Sequence, residues 1–177
     1  QNEQQKNLLS EDAINGSVSD IYSNAVAPLY NYIGKDSLET SDADPLYHIW
    51  DNIYQGISLA NHSLDFIDAK ASLITADQKD RLKAEVRAVR ALLYYEAMDM
   101  FGRVPLVLST MEQPYTLAVD GSELPQQSER SEVFRFIFSE LQDVLPFLPE
   151  DHSNKEGKCY GKITRPVANF LLAKLAL

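Results

Sequence analysis

The chain reads as an all-α protein of long antiparallel helix pairs, tetratricopeptide-like in type, with long loops between them. Three observations predict this. Apolar residues recur at steps of three and four through successive stretches. Prolines, glycines and capping residues stand where those stretches begin or end. The segments between them are polar, notably 34–45 and 108–128. No clean repeat of about 34 residues is visible, so the helix pairs are not a regular array. Apolar residues make up 45% of the 177 positions, enough for a core in one domain over 1–177.

The central stretch is TADQKDRLKAEVRAVRALLYYEAMDMFGRVPLV, residues 75–107. Asp77 is placed as N-cap, with Asp80 close behind it. Leu82, Val86, Val89, Leu93, Ala97 and Met100 form one stripe; Ala84, Ala88, Ala91, Tyr95 and Met98 form a second beside it. So wide an apolar arc predicts a helix packed on two sides. Gly102 then stands where a left-handed C-cap residue belongs, and Pro105 opposes a return to helix.

The other elements follow in order. Residues 1–9 are polar and are expected to be loose. A helix is predicted from Ser10, through Ile14, Val18, Ile21, Ala25 and Leu29, with Gly16 weakening it and Pro28 bending it near its end. A second helix is expected from about Pro45 to Ala69, its core stripe being Leu46, Ile49, Ile53, Ile57, Ala60, Leu64 and Ile67. After the Asp77 helix, another starts near Arg130 or Ser131 and closes at Pro146 and Pro149. A last one starts at Thr164 or Arg165, with Pro166 in its first turn. Its run to Leu177 is apolar nearly all round, which predicts an N-terminal portion of a longer protein or a shortened relative.

The formal charge of −10 and the lack of a Lys/Arg cluster argue against nucleic acid and against anionic membrane as partners. No run approaches the roughly 20 apolar residues of a spanning helix. Cys159 is the single cysteine and can form no internal disulfide. The chain opens on polar QNEQQKN and not on a signal peptide, which predicts a mature or trimmed chain.

Four separated segments, in order, resemble the SusD/RagB family. RAVRALLYYEAMDMFGRVPLV resembles the family signature through Arg87, Arg90, Ala91, Tyr94, Tyr95, Phe101, Gly102, Val104, Pro105, Leu106 and Val107. IWDNIYQGISLANHSLDFI adds Trp50, Tyr54, Ile57, Ala60, Asn61 and Leu64. SERSEVFRFIFSELQDVLPFLPE and GKITRPVANFLLAKLAL are similar to two further family segments. The resemblance implies a surface lipoprotein of Bacteroidetes, at the outer face of the outer membrane. Such a protein captures an oligosaccharide or other nutrient for a SusC-like TonB-dependent transporter. It would touch the membrane only through an N-terminal lipid anchor that this chain does not contain. The resemblance also implies a SusD-like helical scaffold, with loops on the ligand side and no cofactor.

The residues themselves give little catalytic chemistry. His48, His62 and His152 offer no i, i+4 pair and no His-Glu-x-x-His, so no metal site is expected. No Gly-x-Ser-x-Gly or phosphate-cradling Gly-Lys-Ser/Thr occurs, and Cys159 has no neighbouring histidine. Asp42 and Asp44 share one loop, a poor frame for paired acid–base work. The same loop lacks the spacing of a calcium-binding hand. NGS at Asn15 and NHS at Asn61 match a glycosylation pattern but lie in predicted helices.

Aromatic residues carry the binding signal. Sugars present flat C–H faces to rings and hydroxyls to carboxylates and amides. Tyr32, Asp36, Asp44, Tyr47, Trp50 and Tyr115 are therefore the candidate ligand-binding residues. Trp50 also stands in register with the core stripe, so packing is its first expected role. Arg87, Arg90 and Arg103 are expected to form structural ion pairs with acids such as Glu96 or Asp99. The leading reading is non-catalytic glycan binding. The alternatives are a helical-hairpin module that binds protein, and a glycan-cleaving enzyme, for which two fixed carboxylates are missing.

Overall fold

A computed structural model describes residues 3–33, 45–110, 126–150 and 162–177. The architecture is all-α: α1 (Glu3–Ile21), α2 (Ala27–Ile33), α3 (Pro45–Ala69), α4 (Ala76–Phe101), α5 (Arg130–Val144) and α6 (Arg165–Leu175). Two short strands, β1 (Val104–Pro105) and β2 (Gln127–Ser128), pair antiparallel. Among the described residues no helix is long and apolar enough to cross a membrane.

The first helix starts at Glu3, not near Ser10, so residues 3–9 continue it. Their polarity misleads: Glu, Gln, Lys and Leu are good helix formers, and no Gly or Pro interrupts the run. Pro28 has its expected effect, but as a change of register. Without an N–H it cannot bond the carbonyl four residues back. The turn before it widens into a π-segment, Tyr22–Val26, in which the Ala27 N–H donates to the Tyr22 carbonyl.

Helix α4 begins one cap earlier than expected. Thr75, not Asp77, is the N-cap: its hydroxyl accepts from the Gln78 N–H while the Gln78 amide accepts from the Thr75 N–H. Gly102 ends the helix at φ 74°, where its N–H donates to the Met98 carbonyl.

The helices run antiparallel in chain order. Asp68 near the end of α3 meets Lys79 and Lys83 near the start of α4, while Trp50 near the start of α3 meets Phe101 at the end of α4. Arg87 and Tyr94 of α4 meet Glu140 and Phe136 of α5 in the same opposed order. α4 thus lies between α3 and α5, which is why both of its apolar stripes are buried, except for Met100 at the open end of the first. Leu93 is fully buried, and such burial stabilises by about 1.5–3 kcal/mol per side chain.

One close approach depends on glycine. A Cβ on Gly56 of α3 would lie 2.7 Å from Ala25 Cβ and 2.7 Å from Leu93 Cδ1. Gly56→Ala gains helix propensity of about 1 kcal/mol but must push two helices apart. A net loss of about 1–2 kcal/mol is expected, read as a lower urea midpoint at unchanged slope.

Candidate functional site

The family-like residues on α3 and α4 build a buried polar clamp. Arg90 Nη1 donates to Asn61 Oδ1 at 2.7 Å and Arg90 Nη2 to Glu140 Oε2 at 2.9 Å. Asn61 Nδ2 donates to the Val107 carbonyl at 3.0 Å. The Tyr94 hydroxyl accepts from the Val107 N–H at 2.7 Å and lies 2.9 Å from the Val107 carbonyl. Tyr54 donates to the Pro105 carbonyl at 2.9 Å. Side chains of two helices therefore satisfy the backbone just after Gly102, where β2 is the one sheet partner among the described residues. Arg90 Nε has no hydrogen-bond partner among the described residues. The Arg90 guanidinium carbon lies 5.5 Å from the Phe136 ring centroid, so the ring's negative face offsets its burial.

The arginines are structural, as expected, but their partners differ. Arg87 pairs with Glu140 at 2.6 Å and with Asp143, Arg90 with Glu140, and Arg103 with Glu129 at 2.8 Å. Glu96 instead accepts from the Tyr30 hydroxyl at 2.9 Å. Nine residues separate Arg87 from Glu96, roughly 13 Å along a helix, too far for a pair. The acids that serve come from α5 and its N-cap, a tertiary fact that spacing cannot reveal. The Glu140 hydrogen bond, with lesser help from Asp143, outweighs the opposing effect of burial and holds the Arg87 guanidinium above its usual value.

Beyond this clamp lies the end of the bundle where α2 and α4 finish and α3 begins. There Trp50 is half-buried, its ring 4.6 Å from Tyr54 at a tilt of 34° and 5.0 Å from Phe101 edge-on. Trp50 thus packs, as its register predicts, while part of it stays open. Tyr47, one helical turn earlier, is 62% exposed, with Leu46 and Met100 also open. Tyr30 is half-exposed against Glu96; burial first, and then that carboxylate, hold its phenol above the ordinary range.

Of the sequence candidates, Tyr47 and Trp50 fall together on this end face. Tyr32 lies in the last turn of α2, close in sequence to the same end, with its side chain outside the described residues. Asp36, Asp44 and Tyr115 lie outside the described residues. Tyr30, Leu46, Met100 and Phe101 were not singled out as ligand residues. Tyr30 offered a signal, a tyrosine one turn before the acidic loop; the others gain meaning only when α3 and α4 are juxtaposed.

A second concavity lies at the opposite end of α4. It is a cleft of about 650 Å³ lined by Gln78, Arg81, Leu82, Phe147, Glu150 and Lys162, among others. Its charged groups are engaged: Arg81 with Asp77, Lys162 with Glu85 and Arg165 with Glu150. Beside it the Tyr22 hydroxyl donates to Glu85 at 3.2 Å and accepts from the Ile163 N–H at 3.0 Å, tying the π-segment to the approach to α6. Burial first, then the Glu85 carboxylate, raise that phenol. This end is a structural junction.

A sequence family described as SusD-like, "starch-binding associating with outer membrane", matches residues 1–177. The chain belongs to the SusD-like family. Among solved structures it is similar to a SusD homolog from Bacteroides thetaiotaomicron, at 29% identity and TM-score 0.60, covering 74% of this chain and 24% of that one. Surface glycan-binding protein A from Bacteroides uniformis shares 23% identity at TM-score 0.61, over 84% of this chain and 30% of its own. A laminarin-binding SusD-like protein shares 22% at TM-score 0.64, over 97% and 39%. The chain spans about a quarter to two fifths of the length of these SusD-like relatives. No curated protein matches it.

Proposed function

We propose that this SusD-like chain is a non-catalytic glycan-binding module and that its aromatic end face holds the sugar. In this reading it works at the outer face of the outer membrane and delivers an oligosaccharide to a SusC-like TonB-dependent transporter. No bond is made or broken. Tyr47, Trp50 and Tyr32, with Asp36, Asp44 and Tyr115, provide the contacts. The observation that carries it is an open ring, Tyr47, beside a half-open indole, Trp50, on rigid helices of a SusD-like scaffold. Trp50, held against Tyr54 and Phe101, loses little freedom when a sugar stacks on it, so its contact area converts efficiently into affinity.

Calorimetric titration with starch-type and laminarin oligosaccharides tests this. Saturable binding is expected, weakened about tenfold or more by Tyr47→Ala, or roughly 1.4 kcal/mol. Equal affinity of the variant would place the site elsewhere.

A second reading has its own support. Phe170 on α6 is 64% exposed, and Phe134 and Phe138 of α5 are half-open and stacked at 6.0 Å. Open apolar faces of this kind suit a helical protein-interaction module. That reading takes over if the folded chain binds no saccharide.

A further inference from the structure

Resting on the reading that this chain binds glycan, we infer that the cleft at the start of α4 is a second, weaker saccharide site. In it a neutral oligosaccharide stacks on Phe147 and hydrogen-bonds Asn15, Gln78 and Arg81.

The ring carries the inference. Phe147 ends a 3-10 turn, Leu145–Phe147, that follows α5. Its backbone is clamped from both sides: Arg165 Nε donates to the Leu145 carbonyl at 2.9 Å and Nη2 to the Leu148 carbonyl at 3.2 Å. Leu148 reaches the core at 2% exposure, while the Phe147 ring stays 44% exposed on this fixed turn. The ring lines the cleft of about 650 Å³, a size usual for a small-ligand site. It also lines a shallower hollow of about 340 Å³ against Lys83 and Val144, so an extended ligand can cross it from one into the other.

The polar lining suits hydroxyls. Gln78, Arg81 and Glu85 follow at steps of three and four and so share one face of α4. The Gln78 oxygen is taken by the Thr75 N–H, which leaves its NH2 group to donate. The Asn15 amide, half-buried on α1, has no hydrogen-bond partner among the described residues. Arg81 meets Asp77 at 3.2 Å in an exposed pair, which holds loosely, and its five N–H groups exceed what one carboxylate accepts. Glu85 is held by Tyr22 at 3.2 Å and Lys162 at 3.3 Å, a fixed acceptor with lone pairs to spare.

Donors and acceptors beside an open ring match a sugar, whose hydroxyls both give and take hydrogen bonds. Arg81 and Lys162 against Glu85 and Glu150 leave the lining without net charge, which matches an uncharged one. An apolar helix seated here would bury the Asn15 amide and the Arg81 guanidinium unmatched. One ring, and a guanidinium that must reorient, make this site weaker than the end face. From Gln78 to Met100 is roughly 33 Å along α4, so the two sites fill independently.

A nitrogen-15 NMR titration of the full chain with laminari- and malto-oligosaccharides tests this. Two sets of amide shifts are expected. One, around Tyr47–Trp50 and Met100–Gly102, saturates first; the other, around Gln78–Leu82 and Phe147–Glu150, saturates at higher concentration. Phe147→Ala is expected to raise the midpoint of the second set about tenfold or more and leave the first unchanged, with circular dichroism that of the wild type. Arg81→Ala, at an exposed position, is expected to weaken the same set. Shifts at the end face alone, or a second set indifferent to both substitutions, would overturn the inference and leave the glycan reading standing. Shifts at the start of α4 alone would support the cleft and overturn the end face. Shifts at neither end would overturn both.

Discussion

Arg90→Ala is expected to cost about 3–5 kcal/mol of unfolding free energy, the loss typical of breaking a buried ion pair on one side only. Arg90 is 6% exposed and joins three helices, through Asn61 on α3, its own place on α4 and Glu140 on α5. Truncation strands the Asn61 carbonyl oxygen, leaves Glu140 with Arg87 alone and opens a cavity beside Phe136. Urea unfolding followed by circular dichroism reads the loss. The double replacement Arg90→Met/Glu140→Leu is expected to lose less than Arg90→Ala, because the deeply buried charge leaves together with its partner and the more exposed Arg87 keeps Asp143 at 3.1 Å. A loss under about 1 kcal/mol for Arg90→Ala would mean that the pair is no more than a surface salt bridge in strength.

Tyr94→Phe is expected to cost about 1–3 kcal/mol through a single oxygen atom. The Val107 carbonyl keeps the Asn61 amide, but the Val107 N–H loses the acceptor it has at 2.7 Å. Val107 is 1% exposed, so water does not readily replace that acceptor. Amide hydrogen exchange locates the effect: the Val107 N–H should exchange faster in the variant, with the middle of α4 changed only by the global loss. Unaltered protection at Val107 would show that another group holds the exit from α4.

Much of the frame was legible because helix ends are local chemistry. Pro45 and Ala69 bound α3, Arg130 opens α5, Pro166 lies in the first turn of α6, and Gly102 takes the positive φ that its position suggested. Thr75, not Asp77, is the N-cap because Thr75-x-x-Gln78 is a capping box, while an acid such as Asp77 is equally favoured inside the first turn and so does not mark the cap itself. Polar composition hid the helical start at Glu3, since polarity argues against burial and not against helix. The β1–β2 pair escaped because two residues give no period to read, and Pro105 can donate to no ladder.

The site was harder for a related reason. Tyr47 and Trp50 could be named from their ring types and from the acidic segment beside them. That Phe101 and Met100 would join them depends on α4 ending against the start of α3, and Arg90 on a carboxylate fifty residues later. Those are contacts between elements, and periodicity within one element does not report them.

Trp50 is the only tryptophan in the chain and stands in the proposed face, so its fluorescence is the most direct probe. The measurement is a titration of tryptophan emission with a neutral oligosaccharide that calorimetry shows to bind. The account predicts a saturable change in emission whose midpoint matches the calorimetric affinity, with both weakened together in Tyr47→Ala. Tight binding with unaltered Trp50 emission, or a midpoint unrelated to the calorimetric one, would contradict it.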